Sequence, residues 1–296
     1  MKDRPLLLLM TILCFVACSP LAVAQVELPQ KSPAASVSYV VGLTKVTIDY
    51  SSPAVRERQL WGKLVPYGEV WRAGANAATT ITFSTDVNVE GEDLDAGTYA
   101  FFLIPRPGEQ KWTAIFNKRT DQWGTAEYDP GLDVARVDIN PQFLTANQER
   151  LTYSIHDQDL DKGYIKLAWG KARIYLRFRV YVEEQAVTNI KEALETANEE
   201  DKWLIYAQGA NFLLEHDLDP RQAMEWADKS TKLYDHSWNW YVKAQLQAKA
   251  GDYSGALASA ARSSEAGAAN PRDNYFRNTR AEITARVNEW KRKLGS

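Results

Sequence analysis

The chain has 296 residues, of which 45% are hydrophobic and 25% are charged, and its formal net charge is −3. This composition is that of an ordinary folded protein and excludes a wholly disordered chain. A weakly acidic chain with interspersed charges has no basic footprint for nucleic acid, so we expect no nucleic-acid partner.

Residues 1–24 have the pattern of a secretory signal peptide. Lys2 and Arg4 precede an apolar run from Leu6 to Ala17, and the small-x-small sequence Ala22-Val23-Ala24 ends just before Gln25. The run is too short to favour a membrane-spanning helix. We therefore predict an exported protein, periplasmic or secreted.

Cys18 offers an alternative to soluble export. Phe15-Val16-Ala17-Cys18 loosely resembles a bacterial lipoprotein box, although Phe15 is a poor match. In that case the protein is an outer-membrane lipoprotein anchored at Cys18, and only then do we expect membrane association. Cys14 and Cys18 are the two cysteines of the chain, so cleavage before Gln25 leaves no thiol. Disulfides, cysteine nucleophiles and cysteine-ligated zinc are then excluded.

After a linker at 25–35, short alternating segments predict a β domain over residues 36–182. Residues 36–50 alternate on both sides of Gly42-Leu43, which predicts two strands joined by a tight turn. From residue 79 to 180, segments rich in β-branched and aromatic residues follow one another without a helix, with turns at 90–97 and 157–163 among them. This pattern is typical of an antiparallel sandwich or an open barrel.

Residues 183–296 have the apolar spacing of helices and predict an all-α domain. Asp219–Ala223 and Asp252–Ala256 align with their alanines 33 positions apart, close to the 34-residue period of tetratricopeptide repeats. Such repeats need capping helices, which we expect around 190–198 and 283–294. The array is either a plain stack of helices or a small surface for a protein partner.

The segment from Leu60 to Asn76 is neither helical nor alternating, since Pro66, Gly68 and Gly74 interrupt it. Its apolar content is too high for a solvated linker, so we expect this loop to pack on the sandwich. Long loops without secondary structure are often functional.

The loop also holds the first candidate ligand-binding residues, Trp71, Arg72 and Asn76. An arginine fork beside an amide suits a carboxylate or sugar hydroxyls, although Arg72 would alternatively bridge loop carbonyls or pair with Glu69. Aromatic side chains can stack on sugar rings, and Trp123 is the best exposed candidate because its turn is polar. Four further residues complete the candidate set: Arg58, Lys118, Trp123 and Tyr128.

Two alternatives involve carboxylates. Glu127 with Asp138 or Asp129 would form the acid pair of a glycoside hydrolase, in which one carboxyl protonates the leaving oxygen and the other assists water or attacks. Asp157, Asp159 and Asp161 stand at alternate positions, as at the start of a calcium loop, but Lys162 replaces the expected glycine and Ala168 the bidentate glutamate. An acidic hairpin turn is the competing interpretation of those three aspartates.

No motif indicates a cofactor. The chain has no glycine-rich phosphate loop, no Gly-x-Ser-x-Gly elbow and no histidine pair with the i, i+4 spacing of a helical zinc site. We therefore expect no cofactor and, in the first interpretation, no catalysis.

The β region nevertheless resembles a known family. The resemblance is carried by SSPAVRERQLWGKLVPYGEVWRAGANAATTITFSTDVNVEGEDLDAGTYAFFLIP (51–105), WTAIFNK (112–118) and WGTAEYD (123–129). It covers about residues 37–180 and is to the bacterial domain-of-unknown-function family 2911, found in exported proteins in which a β domain often precedes helical repeats. The family implies no reaction, cofactor or ligand. The combined expectation is a non-catalytic envelope protein that binds a glycan or a peptide, with a carbohydrate-active hydrolase as the alternative.

Overall fold

The computed structural model describes residues 28–108 and 110–295. Its N-terminal part consists of two antiparallel sheets and its C-terminal part of six helices, which confirms the predicted fold class. The predicted signal peptide and Cys18 lie outside the described residues. Within the described ranges, no helix is long and apolar enough to cross a membrane.

The first sheet has six strands in the order β1-β2-β3-β6-β7-β8, and the second has the order β5-β4-β10-β9. β1 begins inside the predicted linker, and the predicted turn at 90–97 contains the short strand β5, so both of these local predictions were wrong. The strands are β1 Ala34–Val41, β2 Thr44–Ser51, β3 Thr79–Phe83, β4 Val87–Val89, β5 Glu92–Leu94, β6 Gly97–Ile104, β7 Trp112–Asn117, β8 Asp133–Ile139, β9 Gln142–Asp159 and β10 Lys162–Val180.

β10 is folded back on itself. A straight strand of its 19 residues would span about 60 Å. Instead, the Val180 amide donates to the Asp161 carbonyl at 2.9 Å, and the rings of Tyr164 and Tyr175 lie 5.7 Å apart. The reversal occurs at Gly170, whose φ of 55° is accessible to glycine without strain. The two halves of β10 correspond to two strands that the sequence pattern predicts separately, GYIKLAW (163–169) and ARIYLRFRV (172–180).

The main core lies between the sheets, but the six-stranded sheet is buried on its outer face as well. Along β6, Tyr99, Phe101 and Leu103 face the main core, whereas Ala100, Phe102 and Ile104 belong to a second, smaller cluster. Buried residues on both faces make β6 a continuous apolar run instead of an alternating one. Another part of the chain must therefore pack on the outer face of the six-stranded sheet at β6.

The sandwich has two distinct ends. At one end, Gly42 (φ 56°) has no room for a side chain because the Leu160 carbonyl and Val182 lie against it. This is the helix-side end, since Val182 begins the first helix. The opposite end, which we call the far end, holds the β10 turn at Gly170, the β6–β7 connection and the loop 52–69.

Four of the six helices stack as two pairs, α2 on α3 and α4 on α5. Asp219 and Asp252, the first residues of the two predicted repeat copies, both accept hydrogen bonds from backbone amides as N-caps of α3 and α5. Ala223 and Ala256 are both fully buried. The helices are α1 Val182–Thr196, α2 Lys202–Glu215, α3 Pro220–Leu233, α4 Ser237–Lys249, α5 Tyr253–Ala269 and α6 Asn274–Leu294.

A repeated hydrogen bond that the sequence did not indicate joins the helices of each pair. The buried Ser230 hydroxyl donates to the Trp203 carbonyl at 2.7 Å, and the buried Ser263 hydroxyl donates to the Ser237 carbonyl at 2.7 Å. The serines are 33 positions apart, like the alanines of the predicted repeat. The two helix pairs therefore share a packing plan.

Candidate functional site

The loop from Leu60 to Asn76 packs into the sandwich, as its composition predicts. Trp71 is 8% exposed, stacks on Trp169 with ring centroids 5.6 Å apart, and contacts the edge of Trp61 at 5.6 Å. Trp61 in turn lies 4.7 Å from Trp112. Such stacked and edge-on aromatic pairs are favourable beyond simple burial. Trp71 is thus part of the core and cannot contact a ligand at the surface.

Two other candidates hold the chain in place. Arg58 donates to the carbonyls of Val55 (3.0 Å) and Ala54 (2.7 Å), and so stabilises its own turn. Asn76, which has a φ of 60°, donates to Gln30 Oε1 at 2.7 Å and to the Ser32 carbonyl at 3.1 Å. These contacts tie the N-terminal segment to the loop.

The segments 66–78 and 118–132 cover the outer face of the six-stranded sheet. Val70 and Tyr128 pack on Ala78, Phe102 and neighbouring residues of the smaller cluster, and the Tyr128 ring lies 5.1 Å from that of Phe102. The segments are joined to each other, since the Ala78 amide donates to the Gln122 carbonyl at 3.0 Å. This covered face is where several predicted residues meet.

Arg72 lies on that face without a partner. The antiparallel bridge between Trp71 and Leu103 places Arg72 beside Phe102, pointing away from the core that Trp71 enters. Its side chain is part-buried, its Nε is inaccessible to water, and in the described part of the chain it makes no hydrogen bond or ion pair. The pair with Glu69 considered from sequence is not formed. Burial lowers the pKa of Arg72 because a desolvated guanidinium loses its hydration.

Gln122 is a second incompletely satisfied group on this face, and sequence reasoning missed it. It is 1% exposed; its Nε2 donates to the Arg119 carbonyl at 2.6 Å, whereas its Oε1 has no partner among the described residues. Buried polar atoms are normally paired, so the free Oε1 calls for a donor. The only sequence signal was the polar turn Asp121-Gln122-Trp123-Gly124, which was used for Trp123 alone.

Trp123 is exposed, as predicted. Its side chain is 67% accessible, although the residue bridges Ala77 through the backbone. Lys118 is also exposed and makes only a backbone hydrogen bond to Leu132. Next to Ala77 lies a surface groove of about 540 Å³, whose lining includes Ala78, Thr80 and Thr120. The backbone bridge between Ala77 and Trp123 connects the lining of this groove to the exposed indole.

Tyr128 has a mainly structural environment. Its hydroxyl donates to Asp133 Oδ2 at 2.6 Å and accepts from Arg136 Nη1 at 3.1 Å. Burial, followed by the hydrogen bond to Asp133, raises the pKa of Tyr128 to about 12, because both favour the neutral phenol. Tyr128 therefore joins the segment 118–132 to the start of β8 through its hydrogen bond to Asp133.

The structure does not bring Glu127 and Asp138 together. Glu127 accepts a hydrogen bond at 2.5 Å from Arg119, which lies two residues beyond the end of β7. Asp138, in contrast, lies opposite Thr113 in the sheet, near the start of β7. About 13 Å of strand separates Thr113 from Asn117 alone. A glycosidase acid pair requires about 5 to 10 Å, so the positions of Glu127 and Asp138 do not support them as such a pair.

The three aspartates of the alternative calcium loop are engaged separately. Asp157 accepts from the Tyr39 hydroxyl at 2.8 Å, Asp159 lies 3.8 Å from Lys162 Nζ, and Asp161 lies near both Lys162 and Arg179. Within 28–108 and 110–295, no group of three or more His, Cys, Asp or Glu side chains is arranged to hold a metal ion.

Comparison with known proteins identifies the β region. No curated protein matches the chain. Residues 32–178 match the family described as "Protein of unknown function (DUF2911)". This range includes the whole of the Leu60–Asn76 loop and both sheets except the last two residues of β10. The chain therefore contains a DUF2911 domain over residues 32–178, followed by six helices.

Proposed function

We propose that the protein is a non-catalytic binding module of the cell envelope whose β domain takes a ligand with a carboxylate group, either a glycan or a peptide. The observation that carries this proposal is the part-buried, unpartnered guanidinium of Arg72. An uncompensated part-buried charge destabilises the free protein. A ligand carboxylate would accept two parallel hydrogen bonds from the guanidinium fork and remove that cost.

The neighbouring groups support a ligand with hydrogen-bond donors as well. The free Oε1 of Gln122 would accept from an amide or a hydroxyl, and the exposed indole of Trp123 would stack on a sugar ring or a flat peptide group. Acetamido sugars with attached peptide carboxylates combine these features.

We further propose that the protein is exported, on the basis of residues 1–24, with the lipoprotein form at Cys18 as the alternative. The helices are proposed to be tetratricopeptide-like and to contact a protein partner. Equivalent caps at Asp219 and Asp252 and equivalent serine bonds in the two helix pairs support a repeat of this kind.

The test is a thermal-shift series with muropeptides and uronic-acid oligosaccharides, each compared with its methyl ester. A ligand that prefers the folded state raises the Tm by mass action. We expect a rise with the free carboxylates, little with the esters, and a loss of the rise in Arg72→Met, corresponding to about 10- to 100-fold weaker binding for a lost charge-assisted contact.

Two control variants separate binding from folding. Arg58→Met removes carbonyl contacts and should lower the Tm of the free protein while leaving the ligand-induced rise intact. Trp123→Ala should leave the free protein unchanged and reduce the rise. If Arg72→Met lowers the Tm of the free protein and no carboxylate ligand shifts the wild type, Arg72 is a structural residue and the proposal fails.

A further inference from the structure

The two ends of the sandwich carry opposite charge. At the far end, the described segments 28–33, 52–69, 105–108, 110–111, 140–150 and 170–171 hold eight Lys and Arg against three Asp and Glu, a formal charge of +5. At the helix-side end, segments 42–45, 84–86, 94–97, 157–162 and 180–184 hold two Lys against seven Asp and Glu, a formal charge of −5. The chain as a whole is weakly acidic, so this separation is a property of the fold.

The arginines of the far end, Arg56, Arg58 and Arg150, donate to backbone carbonyls, whereas its lysines form no ion pair with the described residues. Among the described residues, every ion pair within 4.0 Å lies elsewhere, and Lys63, Lys111 and Lys171 are exposed without an acidic partner. At the helix-side end, by contrast, Asp159 and Asp161 lie near Lys162. The far end therefore presents the positive charge of its lysines at its surface.

Large apolar side chains are exposed among these cations. Leu64, Tyr67, Phe143 and Leu144 are 42%, 39%, 49% and 44% accessible. Leu64 and Tyr67 lie on the short loop after Trp61, and Phe143 and Leu144 are among the first residues of β9. The two segments are neighbours, because the ring of Trp112 contacts the rings of both Trp61 and Phe143. Leu60 of the same loop packs against Gly170 beside Asn147. We call these four side chains, which are exposed at the same end of the sandwich as Lys63, Lys111 and Lys171, the apolar patch.

The described chain also begins at this end. The Ser52 amide donates to the Pro33 carbonyl at 2.9 Å, Asn76 holds Gln30, and Leu28 is 72% exposed. The residues before Leu28, which include the apolar run 6–17 and Cys18, connect to the sandwich here. Any anchor on that segment would bring the far end towards the membrane.

From these observations we propose that the far end of the sandwich docks on an anionic lipid surface. Exposed leucines and aromatic rings enter the boundary between head groups and acyl chains, while lysines and arginines neutralise anionic head groups. A soluble polyanion would account for the cations but leave the apolar patch unexplained. This surface is separate from the Arg72 site and does not depend on the proposed function.

The test is sedimentation of the full chain with vesicles of phosphatidylglycerol and phosphatidylethanolamine, compared with vesicles of phosphatidylcholine alone. We expect binding to the anionic vesicles that falls at 0.5 M NaCl because salt screens head-group charge. The triple variant Lys63→Gln, Lys111→Gln, Lys171→Gln should bind about 100-fold more weakly, at about fivefold per residue. Leu64→Ser with Leu144→Ser should weaken binding about tenfold.

The matched control is Lys191→Gln, Lys232→Gln, Lys291→Gln, which removes the same charge from exposed helix positions. All variants keep the same N-terminal residues, so any contribution of the leader cancels. Binding of the control within twofold of wild type supports the proposal. The proposal fails if the two triple variants lose binding equally, because the interaction is then a general electrostatic one. It also fails if the leucine double variant binds vesicles fully and the protein binds dextran sulfate, because the surface then recognises polyanions in general.

Discussion

The sandwich and the helical array are stabilised by different kinds of side chain. Large aromatic residues fill the sandwich, where Trp112, Trp169 and Phe101 are fully buried. The helical array also buries Trp226, Tyr241 and Trp290, but its helix pairs meet at small residues, and Ala223, Ala256 and the serines of the repeated hydrogen bond are completely enclosed. The sandwich thus depends on contacts between distant parts of the chain, and the array on a local plan used twice.

This difference shows where each region tolerates change. A tryptophan cluster assembled from three separate segments has no substitute if one member is lost. A repeated helix pair has two equivalent positions for each contact, so the cost of a change at one position predicts the cost at the other.

The largest expected effect is that of Trp71→Ala. Removing this buried indole deletes its contacts with Trp61 and Trp169 and should lower the free energy of unfolding by about 3–5 kcal/mol. Urea denaturation followed by tryptophan fluorescence measures it. A loss below about 1 kcal/mol would show that the loop is not part of the cooperative core.

Overpacking the helical array should have a smaller effect. Ala223→Leu and Ala256→Leu place larger side chains at fully buried positions, and each should cost about 1–3 kcal/mol by circular dichroism melts. Because the two positions are equivalent, the two losses should agree within about 1 kcal/mol. If one variant is neutral, the helix pairs do not share a packing plan.

The serine hydrogen bonds should contribute less again. Ser263→Ala removes one bond to the Ser237 carbonyl and should cost about 1 kcal/mol. Ser230→Ala should cost somewhat more, because the Ser230 hydroxyl also accepts from Asn239 at 3.0 Å. Chemical denaturation of the two variants side by side measures the difference, and the reverse order would contradict the assigned contacts.

The smallest expected effect on stability is the pH dependence that arises from two part-buried tyrosines, one in each region. The pKa values of Tyr128 and Tyr275 are both raised to about 12, in each case first by burial. A folded pKa above the unfolded value of about 10 means that the neutral phenol favours folding below pH 10 and that this contribution is lost between about pH 10 and 12. Tyr128→Phe should flatten that loss in urea midpoints measured from pH 8 to 12. An unchanged pH dependence would show that Tyr128 is not shielded.

The sequence predicted much of the architecture and part of the candidate site. Alternation and helical spacing indicated the strands, the two halves of β10 and the change to helices, since these patterns act over a few residues. Trp123 was correctly expected at the surface because its turn is polar. The strand β5 was missed because three residues in an acidic, glycine-containing stretch look like a turn.

The sequence by itself determined the two-part fold class, the burial of the Leu60–Asn76 loop and the equivalence of the two helix pairs, because periodicity, apolar content and capping residues are local properties. Only the tertiary structure decided that Trp71 enters the core while Arg72 and Gln122 lie unpaired on the outer face, that Glu127 and Asp138 lie apart, and that positive charge collects at one end. Those outcomes depend on which distant strands pair, and pairing between distant strands is set by the packing of the whole sandwich.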